Sequence, residues 1–222
     1  MNNKIEILKQ AAIFQNVSEK NMLYMLDCLK AYEQIYTKND ILLLTGDKVS
    51  SVGIILSGSA QIVKEDIMGN RNIVSEIGTS DMFGEAFACA NVAKSPVTVI
   101  TTTGCAVMYI QFNKIVTTCS SSCSFHTKLI ENMLSLIAQK NIFLNSKIDI
   151  LSQRSTREKL MAYLSMQIQR TGKNRFKISF SRDELADFLC VNRSALSREL
   201  SKMKQENILD YDRNEFVVYP AE

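Results

Sequence analysis

Residues 181–200 read SRDELADFLCVNRSALSREL. Ser181 stands three residues before Glu184, the reciprocal arrangement that caps a helix start, and Leu185, Ala186 and Leu189 follow at the spacing of one buried face. Cys190-Val191-Asn192 interrupts that helix. A second helix, from about Asn192 to Gln205, would bury Leu196, Leu200 and Met203 while presenting Arg193, Ser194, Ser197, Arg198 and Lys202. Two helices joined by about three residues, with the small Ala186 at the packed position and a polar, basic second helix, match what a DNA-reading helix-turn-helix requires. Arg193 and Arg198 can each offer a guanidinium fork to guanine, Ser194 and Ser197 can bond bases or phosphates, and Lys202 suits a phosphate. Ser181, Arg182 and Asn192 complete the candidate DNA-binding set. Ile208–Tyr211 and Phe216–Tyr219, flanking Asp212-Arg-Asn-Glu, read as a two-stranded wing.

The charge distribution points the same way. Residues 1–150 hold 13 basic and 13 acidic side chains, whereas residues 151–205 hold 12 basic against 5 acidic. The net charge of +3 therefore comes from the C-terminal part, and a basic face on a small domain suits a phosphate backbone.

Upstream lies a helical segment, Ser155 to Gln169, stopped by Thr171-Gly172-Lys173. Before it, Phe125 to Leu151 contains neither glycine nor proline. Its residues Ile130, Met133, Ile137, Leu144, Ile148 and Leu151 fall along one helical stripe, which predicts a helix about 40 Å long. Pairing with a second copy is the expected use of that stripe, with packing on the chain's own β domain as the other reading. From Tyr32 to Ile110 the texture is β-rich: runs at 41–44, 52–56, 60–63, 72–77, 97–102 and 106–110 alternate with glycines, as in a sandwich or barrel. Gly69-Asn70 is the clearest hairpin turn. The first 30 residues read as helical, with Ser18 as an N-cap.

Composition excludes several classes. No apolar run approaches the ~18 residues of a membrane span, and MNNKIEILKQ lacks the build of a signal peptide, so a cytoplasmic protein is expected. Six scattered cysteines form no CxxC, which favours reduced thiols. Cys119 and Cys123 lie near His126, the single histidine, but a closed zinc site wants four such ligands and no metal site is expected. Without GxSxG, GxxxxGK or HExxH, and with no histidine in the β region, the chain does not read as an enzyme. A β-roll ligand-binding protein or enzyme, with a C-terminal domain that does not read DNA, is the alternative.

TGDKVSSVGIILSGSAQIVKED, the triplet FGE at Phe83–Glu85 and SRDELADFLCVNRSALSREL together resemble the Crp/Fnr family of bacterial transcription regulators, over essentially the whole chain. The resemblance implies an α+β chain. Residues 1–124 would form a double-stranded β-helix (jelly-roll-like) sensor with flanking helices, 125–151 a long dimerisation helix, and 152–222 a winged helix-turn-helix. It also implies a homodimer on a near-palindromic double-stranded DNA site, and RNA polymerase as a partner if the protein activates. Many family members carry Glu where Ser194 stands, so a different half-site preference is expected.

In cyclic-nucleotide-binding relatives a Gly-Glu pair holds the sugar, and an Arg-Ser pair about ten residues later holds the phosphate. This chain has Gly84-Glu85, but Ser95-Pro96 at the second place. Phe83, Gly84, Glu85, Ser95, Pro96 and Val97 are thus the candidate effector pocket, with no guanidinium for a phosphate and one backbone donor lost at Pro96, which argues against cyclic AMP. No cofactor is predicted. Oxygen-sensing members of the family carry an N-terminal cysteine cluster for an iron–sulfur centre, whereas this chain has no cysteine before Cys28, and His126 alone could serve a haem.

Overall fold

Each apolar run between residues 41 and 111 becomes a strand because its two faces have different jobs. The computed structural model describes residues 2–116 and 124–219. It divides into two units, the first comprising Met1–Asn70 and Val74–Asn141, the second Arg71–Ile73 and Ile142–Glu222.

The first unit begins with helix α1 (Asn2–Gln10), a short 3-10 turn at Ala12–Phe14 and helix α2 (Glu19–Cys28). Ser18 takes the expected N-cap position of α2, but its side chain makes no capping bond. Eight strands follow, β5 having its first three residues in the second unit: β1 (Tyr32–Tyr36), β2 (Ile41–Leu43), β3 (Ser51–Ser57), β4 (Ala60–Glu65), β5 (Arg71–Ile77), β6 (Met82–Phe83), β7 (Thr98–Thr101) and β8 (Cys105–Gln111). They pair in two four-stranded sheets, β1-β8-β3-β6 and β2-β7-β4-β5, the jelly-roll-like architecture expected. β1 and β6 were not among the sequence-predicted runs. YEQIY is mostly exposed and carries two polar residues, and β6 has only two residues.

β3 and β8 are apolar almost without interruption because both faces of their sheet are covered. Val52, Ile54, Leu56, Met108 and Ile110 pack on Leu8, Phe14, Met22 and Leu29 from the N-terminal helices. On the opposite face Ile55, Cys105, Val107 and Tyr109 meet Ala60, Ile77, Phe83 and Val99 between the sheets. Each fully buried Leu, Ile or Phe contributes about 1.5–3 kcal/mol. Gly53 has no side chain because the Phe83 ring occupies its place: a Cβ would lie 2.2 Å from Phe83 Cζ. The Gly69-Asn70 turn is held by Asp66, whose Oδ1 accepts from the backbone N–H of Met68 and Asn70 at 2.8 and 2.9 Å. The Asn70 side chain and backbone bonds keep the Asp66 carboxyl below its usual range.

Helix α3 (Glu85–Cys89) follows β6, and α4 (Phe112–Val116) follows β8. Helix α5 (Ser124–Leu151) has 28 residues, as the uninterrupted run predicted. Its first half contributes Leu129, Met133 and Leu136 to the N-terminal core, with Ile137 against it. Asn132 anchors that contact through bonds of 2.9 Å from Nδ2 to the Ile13 and Gln15 carbonyls. Cys119 and Cys123 lie outside the described residues, as does the His126 side chain. No helix is long and apolar enough to cross a membrane among the described residues.

In the second unit, helix α6 (Thr156–Thr171) starts with a capping box from Ser155 to Glu158 and stops at Gly172 in the left-handed conformation. Strand β9 (Arg175–Lys177), helices α7 (Arg182–Leu189) and α8 (Arg193–Gln205), and strands β10 (Leu209–Asp212) and β11 (Glu215–Val218) complete it. The wing is three-stranded, β10-β11-β9, rather than the expected two. RFK is too short to show a period, and only pairing with Val217, Phe216 and Glu215 makes it a strand.

Candidate nucleic-acid interface and ligand cassette

Ser181 caps α7 as its spacing predicts. Its backbone N–H donates to Glu184 Oε2 at 2.7 Å, and its Oγ accepts from the Glu184 N–H at 3.3 Å. Cys190 ends the helix at φ 52°, a left-handed position that glycine fills without strain. The turn then delivers Asn192 as the N-cap of α8, without a side-chain capping bond. Leu185, Ala186, Leu189, Leu196, Leu200 and Met203 are all buried. Phe188 joins them, 5.1 Å from the Phe180 ring and 5.4 Å from the Tyr163 ring. The i, i+3, i+4 spacing from Leu185 and Leu189 includes that position, so the signal for it was present.

With that inner face buried, α8 turns the others outward. Asn192, Arg193, Ser194, Arg198 and Lys202 are exposed and Ser197 is half-buried. Arg193 Nε donates to Asp183 Oδ1 at 3.0 Å, which ties the first residue of α8 to the first turn of α7. Arg182 is placed differently from these. Its guanidinium lies 4.9 Å over the Tyr211 ring and donates to the Arg213 carbonyl at 3.2 Å, so it braces the wing. Burial lowers its pKa from the ordinary arginine value.

The orientation of α8 depends on Arg157, which sequence reading passed over. From α6 its Nε donates to Glu199 Oε1 at 2.6 Å and its Nη2 to Glu206. This fork grips the middle and the end of α8. Lys147 of α5 is buried, 4.2 Å over the Phe188 ring, and donates to the Ile73 carbonyl. Desolvation pushes its pKa down to about 8, against a smaller upward effect of Cys190.

The cassette of the first unit is partly a cradle. Gly84 stands at φ 82° as the N-cap of α3, and a Cβ there would meet the Ser51 carbonyl at 3.3 Å. Glu85 is buried. Its Oε1 accepts from Lys140 Nζ of α5 at 2.7 Å, while its Oε2 is buried without a hydrogen-bond partner. Lys140 also donates to the Met82 carbonyl. Ser95 is buried and fully engaged: Oγ donates to the Val97 carbonyl at 2.7 Å, its N–H donates to the Asp47 carbonyl at 2.7 Å, and its carbonyl accepts from Gly46 at 2.8 Å. Pro96 is exposed, and Phe83 and Val97 are buried in the roll. The cassette end near Ser95 is therefore a structural turn. Lys140, the cation at the Glu85 end, is bound to Glu85.

The long-helix stripe is split between two environments. Met133 is buried, Ile130, Ile137 and Leu151 are half-buried, and Leu144 and Ile148 are exposed together with Leu134 and Ile142.

The chain matches the cyclic nucleotide-binding domain family over residues 33–122 and the Crp-like helix-turn-helix domain family over residues 158–219. Among solved structures it is similar to FixK2 from Bradyrhizobium japonicum, with 15% identity, TM-score 0.67, and coverage of 86% of this chain and 93% of that one. It is also similar to the c-di-GMP-responsive global regulator CLP of Xanthomonas campestris, with 16% identity, TM-score 0.71, and coverage of 90% and 100%. A third is a putative Crp/Fnr transcriptional regulator from Eubacterium rectale, with 14% identity, TM-score 0.61, and coverage of 89% and 90%. No curated protein sequence matches the chain.

Proposed function

We propose that this chain, which belongs to the Crp/Fnr family of transcription regulators and carries that family's helix-turn-helix domain, reads a near-palindromic DNA site as a cytoplasmic homodimer. The observation that supports this most is α8 itself. One face is buried, and the outward residues Arg193, Ser194, Ser197, Arg198 and Lys202 stand together in order to meet base edges and phosphates. Dimerisation is supported by Leu134, Ile142 and Ile148 of α5, which are 65%, 66% and 62% exposed on one 28-residue helix. A single copy leaves that apolar surface in water. Two copies would place two recognition helices about 34 Å apart. If the protein activates transcription, RNA polymerase is the second partner.

The β-roll acts as a sensor whose Gly84-Glu85 cradle no longer suits a cyclic phosphate. Ser95 spends its hydroxyl on Val97, and Lys140 is committed to Glu85. The test is selection of bound sequences from a random duplex pool, then footprinting with the Arg193→Ala/Arg198→Ala double variant. A specific footprint that survives in the folded double variant refutes the assignment of α8. A dependence of affinity on salt too shallow for several phosphate contacts refutes DNA binding as the main activity.

A further inference from the structure

Beside Gly84 in the first unit lies a cleft of about 260 Å³ that shares Phe83 and Gly84 with the candidate effector pocket but is not lined by Glu85 or Ser95, and is bounded by Tyr32, Tyr36, Leu43, Lys48, Phe83 and Tyr109. β1 and β8 pair residue for residue, Tyr32 opposite Tyr109 and Tyr36 opposite Cys105, which brings the three phenols to one face. The Tyr32 ring stacks on Tyr109 at 5.3 Å, and Phe83 meets Tyr109 edge-on at 6.1 Å. Ring faces with Leu42 and Leu43 form one side of the cleft, suited to a flat apolar body, and Gln34, Asp47, Lys48, Ser50 and Ser51 form the polar remainder.

Among the polar groups, one hydrogen-bonded pair is incomplete. The Tyr36 and Tyr109 hydroxyls lie 2.8 Å apart and share one hydrogen bond. Two phenols carry two protons, and that bond uses only one. No described residue accepts the other, although Tyr109 is only 7% exposed. Burial and the bond to Tyr36 raise the Tyr109 pKa, which keeps that phenol a proton donor. Lys48 at the mouth is exposed and has no ion pair among the described residues. Asp47 beside it is occupied by the Leu44 N–H at 3.4 Å.

We propose that this cleft binds a small aromatic carboxylate, its ring against Tyr32, Phe83 and Leu43 and its carboxylate accepting the unused tyrosine proton, with Lys48 as counter-charge. The volume admits one or two fused rings. That such a ligand acts as an effector rests on reading the chain as a regulator; that it binds does not.

The experiment uses the full chain and 2-naphthoate as the probe, followed by NMR of ring-labelled tyrosine. Saturable binding should shift Tyr32, Tyr36 and Tyr109 and leave Tyr24, Tyr163, Tyr211 and Tyr219 in place. Tyr36→Phe/Tyr109→Phe should weaken binding about tenfold or more, and the surface change Lys48→Met severalfold, with 2-naphthamide binding no tighter than the acid. The proposal is overturned by no saturation at millimolar probe, by shifts confined to the Glu85 side, or by an affinity unchanged in Lys48→Met and in the folded double tyrosine variant. DNA binding is measured separately. Naphthoate binding without DNA binding would overturn the regulatory reading and leave the site, and the converse would overturn the site alone.

Discussion

Lys140 of α5 donates to Glu85 of α3 across 2.7 Å, and the second Glu85 oxygen is buried with no partner. The carboxylate side chain is 4% exposed and the lysine side chain 33%. This pair joins the candidate effector cassette to the long helix within one unit, and Lys140 balances the buried carboxylate. Removing Lys140 leaves that charge uncompensated. Lys140→Met should therefore destabilise the first unit by about 2 kcal/mol in urea unfolding, and adding Glu85→Gln should restore most of the loss. Equal stability of Lys140→Met and the parent would show that the pair is not carrying the charge.

The same geometry bears on cyclic AMP. A cyclic phosphate at the far end of the cassette would find Ser95 already donating to Val97 at 2.7 Å and no guanidinium. Millimolar cyclic AMP should produce no thermal shift. A saturable shift abolished by Glu85→Ala would contradict this.

On α8, the proposed recognition helix, Arg198 and Lys202 should behave differently. Both are exposed on α8. Arg198→Ala should cost about 1–3 kcal/mol and relax preference at one position of each half-site, whereas Lys202→Ala should weaken all sequences alike and lower the salt slope by about 1. Asp183 holds Arg193 at 3.0 Å and adds a negative charge beside the proposed DNA surface. Asp183→Asn should raise affinity for unrelated duplexes, read by competition at fixed salt; unchanged competition would remove Asp183 from the interface.

Lys147 gives the second unit a pH dependence of definite sign. Burial places its pKa at about 8, below the ordinary lysine value of 10.5. Between these values the unfolded chain keeps a proton that the folded chain releases, so stability rises with pH across that window. Below about pH 8 both states are charged, and the full desolvation penalty opposes folding. Lys147→Met should flatten the rise; an equal slope in both proteins, measured by denaturant titration from pH 7.5 to 10.5, would assign it to another group.

The parts of this structure legible in the sequence are those decided by neighbours along the chain. The Ser181–Glu184 box, the turn before Asn192 and the burial of Leu185, Leu189, Leu196 and Leu200 all follow from contacts within about four residues. Helical period and capping encode such contacts directly. The apolar runs of β3 and β8 were legible for a related reason, since two covered faces leave little room for polar residues.

What the period of α5 could not settle was which apolar residue met what. Met133 packs on the chain's own core while Ile148 stays exposed, although both belong to the same stripe. That choice depends on residues distant in the chain, such as Phe14, Met22 and Ile110, that share the Met133 core. Short strands were hidden likewise, because RFK at 175–177 becomes β9 only against Phe216 and its neighbours. The cassette divides most clearly. Sequence alone placed Gly84-Glu85 and Ser95-Pro96 where the family resemblance implies a Gly-Glu and an Arg-Ser pair. Only the tertiary structure decided that Ser95 would serve a turn, that Lys140 would reach Glu85 across 55 residues of chain, and that the tyrosine cleft would open beside Gly84. The physical reason is the same in each case: a hydrogen bond or ring contact is selected by distance in space, and local spacing carries no record of it.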